Sequence, residues 1–180
     1  YFTRSNYMQR KLGKDDRNTS HLMLFRARLD STGKWGDLHA FAYNSESWST
    51  GHPALSPDGR TLYFASDRPG GFGGSDIWRC QDMGTGWSEP QNLGPTVNSA
   101  GNELFPTVNG NTLHFSSTSH TNMGGLDIFE THEQGDRWTD PVNLNAPINT
   151  PKDDFHFVLD STSKAGYLSS DRDGLDQIYS

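Results

Sequence analysis

Residues 51–78 read GHPALSPDGRTLYFASDRPGGFGGSDIW, and the alternation of turn and strand residues in them decides the fold. Ser56, Pro57, Asp58 and Gly59 make a turn, because Pro57 presets φ and Gly59 accepts a positive one. Thr61–Ser66 (TLYFAS) then supplies the β-branched and aromatic residues of a strand. Extended to the next turn, the stretch holds four short strands, expected at His52–Ser56, Thr61–Ser66, Asp76–Cys80 and Pro90–Leu93.

The same order of residues returns downstream. Residues 101–129 read GNELFPTVNGNTLHFSSTSHTNMGGLDIF, and residues 155–180 read FHFVLDSTSKAGYLSSDRDGLDQIYS. Trp87 to Leu93 (WSEPQNL) aligns with Trp138 to Leu144 (WTDPVNL) at a shift of 51. Phe64, Phe115 and Leu168 correspond, as do Ser66, Ser117 and Ser170, and Asp76, Asp127 and Asp176 are expected to share one slot. A degenerate copy opens the chain, with Tyr1, Phe2 and Thr3 matching Tyr63, Phe64 and Ala65. Gly33, Lys34 and Trp35 match Gly86 and Trp87. A polar insertion over about 5–20 reads as an exposed loop. Four antiparallel strands per period of about 50 residues are the signature of a β-propeller blade. A sandwich would not require the same residues at the same phase three times, and solenoid repeats are shorter or helical.

Composition agrees with an all-β fold. Gly 19 and Pro 9 are spread over 180 residues, leaving little room for long helices, while Trp 5, Tyr 6 and Phe 10 argue against disorder. The formal charge of -7 opposes binding to nucleic acid or anionic membrane, which calls for a cationic face. No apolar run approaches the roughly 18 residues of a membrane span, and Tyr1 opens directly in strand-like sequence with no signal peptide expected. Cys80 alone supports neither an intrachain disulfide nor a zinc site, and does not choose between a reducing and an oxidising compartment.

The motif SPDGRTLYFASDR, followed by a Gly-rich loop and SDIW, resembles the WD40-like, TolB-type propeller repeat. It recurs as Ser170, Asp171 and Arg172 followed by Asp176, Ile178 and Tyr179. GNELFPTV, GGLDIF and PVNLNAPIN are in addition similar to periplasmic, outer-membrane-associated lipoproteins. In those, a propeller lies between tetratricopeptide repeats and an OmpA-like peptidoglycan-binding domain, as in PorE-type proteins of the type IX secretion system. The resemblance covers the chain after about residue 22 and fits residues 1–4. It implies a periplasmic location and partners among envelope or secretion-system proteins. Peptidoglycan would be reached only through a domain outside these residues.

The expected blade segments are 1–50, 51–103, 104–154 and 155–180, with three, four, four and three strands. That is about three and a half blades, where propellers have roughly four to eight. The chain therefore reads as part of a larger, six-bladed ring, with strand-exchanged or oligomeric closure as the alternative.

Among candidate site residues, Asp76, Asp127 and Asp176 read as structural, accepting backbone N–H groups from the Gly-rich turns before them. Metal binding would need several oxygens converging, which one Asp per blade does not provide. Trp87 and Trp138 read as packing between sheets. Asp67–Arg68 and Asp171–Arg172 are expected to bond within or between blades. Candidate partner-binding residues are Phe72, at the tip of a Gly-rich loop, Arg68, and the acidic Glu103, Asp153 and Asp154 on connections into the first strand of a blade, where they would form an acidic rim. The Gly-rich loops lack the helix and Lys of a phosphate loop. His52 and His156 share a slot with Phe105, and exchange with Phe argues for packing or a rim over a metal. No Gly-x-Ser-x-Gly elbow is present. The expectation is a non-enzymatic, cofactor-free scaffold that binds protein, with a carbohydrate-binding or hydrolase-gating propeller as the alternative.

Overall fold

The computed structural model describes residues 1–8, 11–160 and 165–180. Among these every regular element is a strand, and every paired strand is antiparallel. The first sheet comprises β1 (Phe2–Ser5), β4 (Leu22–Leu29) and β5 (Trp35–Ala40), with a small hairpin of β2 (Tyr7–Met8) and β3 (Lys11–Leu12) between its first two strands. The polar insertion thus carries this hairpin where a plain loop was expected. Residues 9–10 of it lie outside the described residues. The second sheet runs β6 (Thr50–Leu55), β7 (Thr61–Ser66), β8 (Asp76–Gln81) and β9 (Gln91–Asn92) in sequence order. The third runs β10 (Glu103–Asn109), β11 (Thr112–Ser117) and β12 (Asp127–Gln134), the last flanked by β13 (Arg137–Trp138) and β14 (Val142–Asn143). The fourth is β15 (Asp154–Asp160), β16 (Ala165–Ser170) and β17 (Gln177–Tyr179).

Pairing sets the equivalence of the sheets. Thr3, Ala65, Ser116 and Ser169 lie opposite Leu24, Ile77, Ile128 and Ile178. The strand β1 therefore holds the place of β7, β11 and β16, the second strand of a blade. The same register corrects one expectation: Gln177, not Asp176, faces Ser170 where Asp76 faces Ser66 and Asp127 faces Ser117. Asp176 is exposed, whereas Asp76 and Asp127 are buried.

The core lies between sheets, not within one. Leu24, Phe41 and Tyr43 of the first sheet's region meet Leu62, Phe64, Trp78 and Cys80 of the second. Tyr63, Ala65 and Ile77 meet Leu113, Phe115 and Phe129 of the third. Ile128, Leu144 and Ile148 meet Phe157, Leu168 and Tyr179 of the fourth. The second and third sheets are thus packed on both faces, which is why their strands read as near-continuous apolar runs. Across each of the first two junctions a tryptophan caps a tyrosine edge-on: Tyr1 with Trp87 at 6.1 Å, and Tyr63 with Trp138 at 6.3 Å between ring centroids. Trp87 Nε1–H also donates to the Tyr1 hydroxyl at 3.0 Å.

Each inner junction is also closed by an asparagine. Asn44, Asn98 and Asn149 accept from the backbone N–H of Leu24, Ile77 and Ile128 and donate to the carbonyl of the same residue, at 2.7–3.0 Å. This ties the connection leaving a sheet to its third strand and answers an N–H that has no ladder partner, while the same carbonyls also accept from the N–H of Phe41, Leu93 and Leu144. The signal was present in the sequence as the last Asn of NLGPTVN and NLNAPIN.

Candidate functional site

The inner strands β6, β10 and β15 each carry a bulge, between Gly51 and Ala54, between Leu104 and Thr107, and between Phe155 and Val158. At the bulge the backbone of His52, Phe105 and His156 turns left-handed, with φ of 50°, 51° and 54°. For a non-glycine residue this costs about 1–2 kcal/mol. At His52 and Phe105 the cost is compounded by the following Pro53 and Pro106, which push a preceding residue toward extended backbone. Three blades carry the same strain at the same phase, though glycine would relieve it.

The bulges aim the three rings at one another. His52 stacks on Phe105 at 4.0 Å and 14°, and Phe105 stacks on His156 at 5.8 Å and 21°. Phe155 tilts against Phe105 at 5.0 Å. The Thr3 hydroxyl accepts from the His52 N–H at 2.8 Å, and the Phe105 N–H points to His52 Nδ1 at 3.4 Å. Burial, and then the charge His156 would carry, push the His52 imidazole down to about 4, and burial lowers His156 as well. Both rings are therefore neutral at pH 7. The stack borders a cavity of about 260 Å³ whose wall includes Tyr1, Phe2, Pro53 and Pro106, with no carboxylate or Lys/Arg among its lining residues. Ligand pockets for small molecules and cofactors run from about 300 to 1,000 Å³. This one is below that range and suits one or two side chains.

The other candidates fall into place around it. Asp76 accepts from the Phe72 N–H at 2.6 Å and from Asn92 Nδ2 at 2.7 Å, and Asp127 accepts from the Met123 N–H at 2.5 Å and from Asn143 Nδ2 at 2.9 Å. Each holds its Gly-rich loop to its own sheet. Phe72 is left half-exposed at the loop tip.

Glu103 and Asp154 do not form an acidic rim. Both are fully buried first residues of β10 and β15. Glu103 accepts from the Ser99 N–H, the Ser99 hydroxyl and the Ser117 hydroxyl at 2.5–2.8 Å. Asp154 accepts from the Thr150 N–H and hydroxyl and pairs with Arg172 Nη2 at 2.7 Å. Full desolvation is tolerable because each oxygen is satisfied. Asp153 stays exposed, yet its carboxylate accepts from the Leu126 N–H at 2.8 Å, in the slot where Asn102 accepts from Ser75.

Arg68 is likewise spent internally. Its Nη2 donates to the Tyr43 carbonyl at 2.7 Å, and its guanidinium lies over the Trp78 and Phe64 rings. Burial lowers its pKa. Arg172 repeats the contact on the Ile148 carbonyl at 2.7 Å. In the third sheet His120 does the same work, donating from Nε2 to the Val97 carbonyl at 2.9 Å. Ser119 occupies the arginine's sequence position there, so alignment alone conceals the substitution.

Trp87 and Trp138 lie in the junctions described above. Among the described residues no group of three or more His, Cys, Asp or Glu could hold a metal ion. Among the described residues no helix is long and apolar enough to cross a membrane.

No family model matches the chain. No curated protein matches it either. Solved structures that match include TolB from Acinetobacter baumannii, at 14% identity and a TM-score of 0.52, over 88% of this chain and 35% of that one. The chain thus spans about a third of the length of that protein. With the sheet order, the likeness establishes an all-β fold of TolB propeller type.

Proposed function

We propose that this chain is a non-enzymatic, protein-binding propeller segment of the cell envelope. An extended segment of a partner seats one or two side chains against His52, Phe105 and His156. The observation that carries this reading is the backbone strain retained at one phase in three blades, because such strain clusters where binding geometry has to be held. Stacked neutral rings and a cavity without charged lining residues favour apolar, aromatic or proline side chains over a charged metabolite.

Phe72 belongs to the same surface. Support for this comes from its loop, which leads into β8 and is held to the residues before β10, the Gly74 N–H donating to the Gly101 carbonyl and the Ser75 N–H to Asn102 Oδ1. Envelope location, a secretion-system or peptidoglycan-linked assembly, and partners there rest on the sequence resemblance to TolB-type repeats and PorE-type lipoproteins.

The test is to pan a random peptide display library on the immobilised 180-residue chain. The expected result is enrichment of aromatic- or proline-containing peptides whose binding weakens about tenfold or more in His156→Ala and Phe105→Gly, and less in Phe72→Ala. Peptides that bind all three variants as well as the parent would refute the site. Glycan selected in place of peptide would favour the carbohydrate-binding alternative.

A further inference from the structure

The two outer sheets each present to solvent the half of an interface that the molecule builds elsewhere. In the fourth sheet, Tyr167 and Ile178 occupy the positions of Tyr63 and Ile77, as the pairing of Val158 with Tyr167 and of Ser169 with Ile178 sets. Tyr63 and Ile77 are 3% and 0% exposed against the third sheet, whereas Tyr167 and Ile178 are 48% and 77% exposed. In the first sheet, Trp35 pairs with Leu29 as Trp87 bridges Asp82. It holds the slot of the tryptophan that caps a tyrosine of the preceding blade, yet it is 73% exposed. With Phe2 and Leu38 it lines an apolar groove of about 520 Å³.

One face thus offers the uncapped tyrosine and the other the unpartnered tryptophan. We infer that each face docks another sheet of this same repeat, which for the 180-residue chain is a second copy joined head to tail. Trp35 of one copy caps Tyr167 of the other, as Trp87 caps Tyr1 and Trp138 caps Tyr63. The ground is continuity with an interface the fold forms three times over, and the clustering of large exposed apolar side chains on these two faces. Because the two surfaces differ, the contact is heterologous. It closes into a ring where the rotation allows and propagates into longer assemblies where it does not.

Sedimentation equilibrium across a concentration series tests this directly. The mass is expected to rise from 20.0 kDa toward multiples of it. Trp35→Glu and Tyr167→Glu should each weaken self-association about tenfold or more, with Ile178→Asp as a second probe of the same face and circular dichroism confirming that the fold is kept. An equimolar mixture of Trp35→Glu and Tyr167→Glu should recover a heterodimer, because each variant retains the face the other lacks. A monomer at every concentration overturns the inference, as does association indifferent to the substitutions. Association that the substitutions block but the mixture does not restore overturns the head-to-tail arrangement.

Discussion

The rims of the inner strands and the rings two residues further on obey the same repeat and do opposite things. Thr50, Glu103 and Asp154 share one slot, each facing a serine on the next strand, and they vary in kind while all are buried and bonded. His52, Phe105 and His156 share another, where the backbone is strained and the side chains stack along a cavity. Periodicity marks both slots equally. Hydrogen-bond satisfaction separates them: a repeated residue whose polar atoms are all answered by its own sheet holds the fold, and one held at a conformational cost with its face turned to a cavity is available to a ligand.

The sharpest way to break this contrast is to attack the satisfied side. Asn98→Ala removes the acceptor for the Ile77 N–H and the donor to its carbonyl in a buried junction. It is expected to cost about 3 kcal/mol, the upper end of the about 1–3 kcal/mol for one orphaned buried group, because the Ile77 N–H loses its acceptor while the carbonyl keeps the Leu93 N–H. The readout is a fall in the denaturant midpoint. Asp154→Ala should come next, at about 2–3 kcal/mol, because it strands the Thr150 donors and Arg172. An unchanged midpoint for Asp154→Ala would return that residue to the list of surface contacts.

Acid tests the stacked side. The folded-state pKa of His52 lies at about 4, below its ordinary 6.5, and burial lowers His114 and His156 too. Between those limits the unfolded chain binds more protons, so stability is full above about pH 6.5 and falls as pH drops toward 4. Melting temperature against pH should show this decline, and His52→Phe should flatten part of it. The smallest effect is the most specific. Phe105→Gly should be more stable than Phe105→Ala by about 1 kcal/mol, the reverse of the usual order in strands, because only glycine relieves the positive φ.

The period of 51 made the blades legible, since turns, strands and inter-sheet aromatics recur at a fixed phase. What the sequence hid was direction. Glu103 and Asp154 look like surface charge until Ser99, Ser117, Thr150 and Arg172 are seen to surround them. Alignment put Asp176 with Asp76 because the preceding loop is shorter there, 171–176 against 67–75, and the one-residue slip that results is invisible without the ladder. His120 could not be read as a stand-in for arginine, because it reaches the same carbonyl from one position further on. The strained ring slot did leave a trace, in the dipeptides His52-Pro53 and Phe105-Pro106 at matching phase.

Cys80 lies buried in the seam between the first two sheets, among Leu24, Phe64 and Trp78, where desolvation pushes its thiol up to about 12. Such a sulfur is neither nucleophilic nor reachable in the closed state. Its alkylation rate therefore counts how often that one seam parts, independently of the other two junctions. The chain carries, in effect, a built-in clock for whether its sheets separate one at a time or all together.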